Sequence, residues 1–292
     1  MAEKILIMGE SGTGKSASLR NCDPKEIAVI NPVGKPLPFR GKFDMLNGHT
    51  DSQRIIEWIK AAVNRGKKII VIDDFQYILS IPYMNRIKEA GWDKWNDFGA
   101  NYFDLIDICS ELPDDVNVYY MTHTETLDNG ITTIKLIGKM LREKITIEGL
   151  FTIVLRTQVI DGKYYFLTQN SGKDTVKSPI GMFGSYAIEN DLKYVDDKIR
   201  NYYQIGDFKS DAEIAKADAA NEKTEVEKAP GGRVKRAARS ARKSDVETEL
   251  KEVDKLSEEL SDDDLPFTFP EDEAKEDVTP KEPVRRTRKV RS

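Results

Sequence analysis

The sequence predicts an α/β fold: a mostly parallel sheet with helices on both faces and a late antiparallel hairpin. Three observations predict it. The apolar run Ile5-Leu6-Ile7-Met8 leads straight into "GESGTGKS". Apolar runs then alternate with amphipathic stretches as far as Phe208, which implies right-handed crossovers between parallel strands. Finally, "KKIIVIDDFQ" is a continuous apolar run closed by Asp73-Asp74, as a strand buried on both faces would read.

Taken in order, Lys4–Met8 is the first strand and Lys15 to about Arg20 a short helix. Ile27–Asn31 is a second strand, followed by the turn-rich "NPVGKPLPFRG". Asp51–Arg65 places Ile55, Ile56, Trp58, Ile59, Ala62 and Val63 at helical spacing. Lys68–Ile72 is the buried strand, Trp95–Glu111 another amphipathic helix and Val116–Thr122 a further strand. Phe151–Gln158 and Lys163–Gln169 flank Asp161-Gly162 and read as a hairpin.

The stretch from Gly9 to Ser16 fits G-x-x-x-x-G-K-[ST] at every fixed position, with a strand before it and a helix after. Such a loop suits a nucleoside triphosphate, whose negative charge needs donors that approach without side-chain bulk. Gly9, Gly12 and Gly14 let main-chain N–H groups point inward, with Glu10, Ser11, Thr13 and Ala17 completing the cradle. The following helix adds the positive end of its dipole. Lys15 reaches the β- and γ-phosphates, and the Ser16 hydroxyl ligates Mg²⁺. Asp73 ends a strand beside the crevice where open α/β sheets bind ligands, and reads as the Mg²⁺-side carboxylate. Asp74 reads either as the group that polarises the attacking water or as a cap. His123, in "YYMTHTE", ends the next strand and reads either as a γ-phosphate sensor or as a structural residue.

Together, "KILIMGESGTGKSASLRN", "NPVGKPLPFRG", "IIVIDDFQYIL" and "MTHTE" resemble the RecA-like P-loop ATPases of bacteriophages, a group that includes single-strand annealing recombination proteins. The resemblance covers about residues 3–190. It implies a RecA-like core, ATP with Mg²⁺ as cofactors, ATP hydrolysis stimulated by DNA or by assembly, single-stranded DNA as partner, homo-oligomers, and the cytoplasm of a bacterial host cell. Enzymes of this kind often complete the site with a cation from a neighbouring subunit. "YYFLTQNSGKDTVKSPIGMF" occupies the corresponding place, so Lys173 and Lys177, with Arg156 a third, are candidates for that role; exposed hairpin lysines are the alternative. One departure stands out: several such enzymes carry a glutamate after the second strand, where this chain has Asn31-Pro32.

The 292 residues suffice for a core over 1–208 and a tail over 209–292. In the tail Phe267 and Phe269 are the only aromatics, and close to half the residues are charged, so it is expected to be disordered apart from short helices at Asp211–Lys228 and Asp245–Leu260. Basic clusters at 233–243 and 285–291 flank an acidic block at 261–273. Flexible basic arms bind nucleic acid in a salt-dependent way, and a solubilising tail is the alternative. "SDDDLPF" resembles the acidic tip of bacterial single-stranded DNA-binding proteins, although here "TFPEDE" follows it; the resemblance implies docking on host repair proteins that read such tips, and folding back on the protein's own basic surfaces or an ordinary acidic spacer are the alternatives. Net charge is −5, and Cys22 and Cys109 show no metal-site spacing, as expected of reduced thiols in a cytosolic protein. No apolar stretch approaches the roughly 20 residues of a membrane helix, and no signal peptide is expected.

The function expected is an ATPase acting on single-stranded DNA in recombination, annealing or replication. The alternatives are a nucleotide-gated interaction module with little turnover, a helicase or loader ATPase, and a small kinase with "GKMLREK" (138–144) as its lid. With no N/TKxD-type guanine motif, ATP is favoured over GTP. The sequence does not place the DNA-binding loops of the core, and segments 82–97 and 128–144 are expected to be mobile.

Overall fold

The computed structural model describes residues 1–89, 93–137 and 145–222. The chain enters at β1 (Glu3–Met8), continues through β2 (Ile27–Asn31) and β3 (Asp44–Asn47), and crosses α1 (Ser52–Asn64) to β4 (Ile69–Ile72). Helices α2 (Tyr77–Asn85) and α3 (Asp93–Asp107) lead to β5 (Asn117–Thr122) and a small two-stranded ribbon, β6 (Thr124–Thr126) with β7 (Thr132–Ile134). Then come β8 (Ile153–Ile160), β9 (Lys163–Leu167), β10 (Ala187–Glu189), α4 (Leu192–Tyr203) and α5 (Asp211–Asn221).

Eight strands form the main sheet in the order β10-β9-β8-β1-β5-β4-β2-β3. From β3 to β8 all neighbours are parallel, and β9 and β10 are added antiparallel. This is the predicted α/β architecture, with its late hairpin. That hairpin turns at Asp161-Gly162, both at positive φ (50° and 75°), the backbone a tight two-residue turn demands.

Strand alternation divides the core in two. Leu6, Met8, Ala28, Ile30, Ile70, Ile72, Val118 and Tyr120 face α1, α2 and α3. Ile5, Ile7, Val29, Val71, Tyr119, Met121, Ile153 and Leu155 face α4 and the segment after the P-loop. Helix α1 begins where expected because the Asp51 carboxylate accepts the Arg54 N–H at 2.8 Å. On the other face, buried Asp196 of α4 accepts from Asn117 Nδ2 (2.7 Å), Tyr119 OH (2.8 Å) and Arg200 Nε (2.7 Å). That full set of partners is what makes a buried charge tolerable.

Several expectations are corrected. The short helix expected after the P-loop is present as a six-residue 3₁₀ helix, Ser16–Asn21, while other elements depart from expectation. The turn-rich stretch after β2 leads into edge strand β3, and α2, β10 and α4 were not foreseen. Segment 82–97, expected to be mobile, is in part α2 and α3. The packed chain also runs past the expected boundary at 208. Helix α5 docks on α4 through Tyr194 OH to Asp218 (2.8 Å) and Lys198 Nζ to Asp218 (2.5 Å), and Glu222 accepts the Gly184 N–H at 3.0 Å. The basic clusters, the acidic block, the helix at 245–260 and the lid at 138–144 lie outside the described residues. Among the described residues no helix is long and apolar enough to cross a membrane.

Candidate functional site

The C-terminal ends of β1, β2, β4 and β5 deliver Gly9, Asn31, Asp73 and Thr122 to one edge of the sheet. Strand β5 lies between the strand of the P-loop and the strand of Asp73. Contact between those two is therefore made by side chains: Ser16 Oγ donates to Asp73 Oδ2 at 2.7 Å. A cavity of about 400 Å³ opens here, lined by P-loop residues Ser11, Gly12, Gly14, Lys15, Ser16 and Ala17, and by Asn31, Lys35, Asp73, Asp74, His123 and Tyr164.

Within the loop, Gly12 and Gly14 hold left-handed backbone, φ 79° and 100°. Gly14 is also crowded: a Cβ there would stand 2.9 Å from the Tyr164 ring and 3.1 Å from Asn190 Oδ1. Gly9 has a different reason. Its φ is not positive, but a Cβ would fall 1.9 Å from Thr157 Oγ1 of β8. Thr157 Oγ1 also sits 2.6 Å from Thr13 Oγ1, which donates to the Glu10 carbonyl at 2.7 Å. Lys15 is buried, its ammonium donating to the carbonyls of Gly9 (2.8 Å) and Glu10 (2.9 Å). Burial pushes it below the usual lysine range, against the pull of Asp74 and Asp73. Because only a short 3₁₀ helix follows, an anion held here would rest on loop amides and Lys15 more than on a helix dipole.

The two aspartates differ sharply. Asp73 is 6 % exposed, and burial raises its carboxyl above the ordinary value, with the Ser16 hydrogen bond opposing. Its Oδ1 is buried and has no hydrogen-bond partner among the described residues. A hydroxyl and an unsatisfied carboxylate oxygen side by side fit Mg²⁺, which binds through one or two protein oxygens together with waters and substrate phosphates. Among the described residues there is no group of three His, Cys, Asp or Glu that would hold a metal by protein ligands alone.

Asp74 sits at φ 63°, a left-handed position rare for a side-chain-bearing residue. Lys35 Nζ lies 3.0 Å from its Oδ2 and His123 Nε2 3.1 Å from its Oδ1. Burial alone would raise this carboxyl, but the hydrogen bonds from His123 and Lys35 outweigh it and hold it at about 2, against 3.8 for the free side chain. A depressed acid stabilises the fold fully above its unfolded value and loses that contribution as pH falls through the folded one. The loss amounts to roughly 2 kcal/mol between pH of about 4 and about 2. Asp74→Asn removes it. The stability gap between the two proteins in urea melts is expected to shrink over that interval, and a gap independent of pH refutes the pairing.

Of the predicted residues, Lys15, Ser16, Asp73, Asp74 and His123 are brought together. His123 is thus Asp74's partner, and its main-chain N–H donates to Gln76 Oε1 at 3.2 Å. Lys173, Lys177 and Arg156 do not line the cavity. Lys177 pairs its backbone with Val154, Lys173 is exposed, and Arg156 Nη1 stands 3.8 Å from Asp174.

The residues that sequence reasoning missed are Lys35, Tyr164 and Thr157. The role of Asn31 was also unforeseen. Its Nδ2 donates to the Lys35 carbonyl (2.6 Å) and its Oδ1 accepts the Gly34 N–H (2.9 Å). A glutamate here would lack that donor. Asn31 therefore builds the turn, with Gly34 at φ 74°, that carries Lys35 to Asp74. The signal was present in "NPVGK", a turn-forming Asn followed by Gly and a cation.

No family model matches the chain, and no curated protein matches it. Among solved structures, the KaiC-like protein PH0186 from the hyperthermophilic archaeon Pyrococcus horikoshii OT3 is similar, with 18% sequence identity and a TM-score of 0.36 over 56% of this chain and 77% of that one.

Proposed function

We propose that the protein binds ATP with Mg²⁺ and hydrolyses it, and that the cycle serves work on single-stranded DNA in recombination, annealing or replication. The observation that carries the nucleotide reading is the 2.7 Å contact between Ser16 and Asp73 beside the buried Lys15 ammonium. Ser16 and Asp73 would hold Mg²⁺, which when bound neutralises phosphate charge. The loop amides and Lys15 bind and orient the β- and γ-phosphates. Asp74, ionised at neutral pH, accepts a hydrogen bond from the attacking water, and His123 fixes its orientation. The DNA reading is supported by the resemblance to phage recombination ATPases and by the basic clusters of the tail. Docking of "SDDDLPF" on host repair proteins belongs to the same proposal.

A second reading, a nucleotide-gated module with little turnover, is favoured by one observation: Asp74 is engaged on both oxygens, by Lys35 and by His123. Phosphate release with and without single-stranded DNA, at two salt concentrations, separates the two. Stimulation by DNA that weakens with salt supports the first; nucleotide binding without release supports the second. Lys15→Ala is expected to lower triphosphate affinity and cut turnover by at least about 100-fold, by removing a charge-assisted phosphate contact in a dry site. Unaltered Mg²⁺-dependent binding in that variant would remove the nucleotide site from this loop.

A further inference from the structure

We propose that Lys35 is a catalytic cation acting in cis: it leaves Asp74 to contact the terminal phosphate of the bound triphosphate, so that hydrolysis needs no residue from a second copy of the chain. The proposal rests on the ATPase reading above.

Four features converge on it. Lys35 lines the same cavity as Lys15, Ser16, Asp73 and Asp74. Its loop is not a passive connection, since the Asn31 amide uses both its donor and its acceptor to shape it, and Pro36 and Pro38 restrict the backbone beyond. Its side chain is 56% exposed and therefore free to swing, while Asp74 at 13% is fixed by position and by His123. Its ammonium also stands 5.2 Å from the Tyr77 ring centroid, which offers the cation a face along which to move. Together these make a latch: the carboxylate that would receive a proton from water is tied to the cation that would stabilise the phosphate.

A triphosphate bearing about four negative charges competes with Asp74 for Lys35. Transfer of the ammonium to the terminal phosphate leaves Asp74 with one hydrogen-bond partner instead of two, so that Oδ2 is open to the attacking water while His123 still holds Oδ1. The water oxygen then bonds to the γ-phosphorus, and the bond from phosphorus to the bridging oxygen breaks with its electron pair remaining on ADP. The water proton passes to Asp74 and from there to the released phosphate or to solvent. In this scheme the loop after β2 has exchanged an acid for a cation, which accounts for Asn31-Pro32 at that place.

The test uses the full chain as wild type, Lys35→Ala and Lys35→Arg. Two readouts are needed: turnover of Mg²⁺-ATP over a 100-fold range of protein dilution, and the affinity ratio of a non-hydrolysable ATP analogue to ADP. Three results are expected. Wild-type turnover per molecule is independent of dilution. Lys35→Ala loses at least about 100-fold in turnover and about tenfold of its preference for triphosphate, with ADP affinity within about threefold of wild type. Lys35→Arg recovers part of both. The proposal is overturned if Lys35→Ala retains turnover or triphosphate preference within about twofold of wild type. It is overturned equally if wild-type turnover per molecule rises with concentration, as a cation from a neighbour such as Lys173 or Lys177 requires. Failure of the ATPase reading itself shows separately, as wild-type protein that binds no nucleotide.

Discussion

Replacing Asp73 with asparagine is expected to give a protein that melts a few degrees higher and no longer turns over nucleotide. The two effects share one cause. Asp73 is buried, its charged form is disfavoured by that burial, and its Oδ1 has no hydrogen-bond partner among the described residues. Asparagine keeps an acceptor for the Ser16 hydroxyl but removes the buried charge, so the fold without nucleotide gains stability. It also removes the carboxylate assigned to Mg²⁺. Metal-assisted charge neutralisation is worth several kcal/mol in phosphoryl transfer, so turnover is expected to fall by at least about 100-fold. Thermal melts without nucleotide and phosphate release with Mg²⁺-ATP measure the pair. A lower melting temperature, or Mg²⁺-dependent turnover left intact, contradicts the assignment.

The second large effect concerns Gly9. Alanine at this position suits the backbone but meets Thr157 Oγ1 at 1.9 Å, so either β8 or the P-loop must move. Overpacking of this kind costs about 1–3 kcal/mol, and here the displaced segment is the P-loop, the cradle proposed for phosphate. Gly9→Ala is therefore expected to lower both stability and nucleotide affinity. Thr157→Ala alone should cost about 1 kcal/mol, through the lost contact with Thr13. In the double variant the Thr157 Oγ1 clash is gone and the position-157 Cβ stands at 3.2 Å, so much of the Gly9→Ala damage should be relieved. A coupling energy above about 1 kcal/mol in that double-mutant cycle is the expected result, and additivity would show that Gly9 is needed for another reason.

The contrast between Gly9 and Lys35 shows what the sequence could and could not disclose. The P-loop and the Asp73-Asp74 pair were legible because each is contiguous and sits at the end of an apolar run. Their meeting was legible too, since alternation implies a parallel sheet whose strand ends share one edge. Lys35 was not legible, because its partner is 39 residues away and the turn that presents it depends on the two-sided hydrogen bonding of the Asn31 side chain. The reason for Gly9 was hidden in Thr157, on a strand that becomes its neighbour only through a late crossover. Helix α4 was missed although "DLKYVDDKIRNYY" buries Leu192, Val195 and Ile199, because Asp196 and Arg200 are buried as well and blur the apolar stripe. The short helix after the loop was legible, but a six-residue "SASLRN" does not show whether it is 3₁₀ or α.

Strand β5 passes between the P-loop strand and the strand of Asp73, and only one residue separates it from β6. That residue is His123, whose carbonyl accepts the Lys135 N–H at 2.8 Å just past β7. The ribbon is thus joined, by covalent continuity and by this bond, to the strand that lies between the P-loop strand and the strand of Asp73. The other strand of the ribbon is tied as well, since the Thr132 N–H donates to the Lys173 carbonyl at 2.8 Å and Glu148 accepts the Ile134 N–H at 3.4 Å, so the ribbon braces the end of β5 against the segment that follows β9.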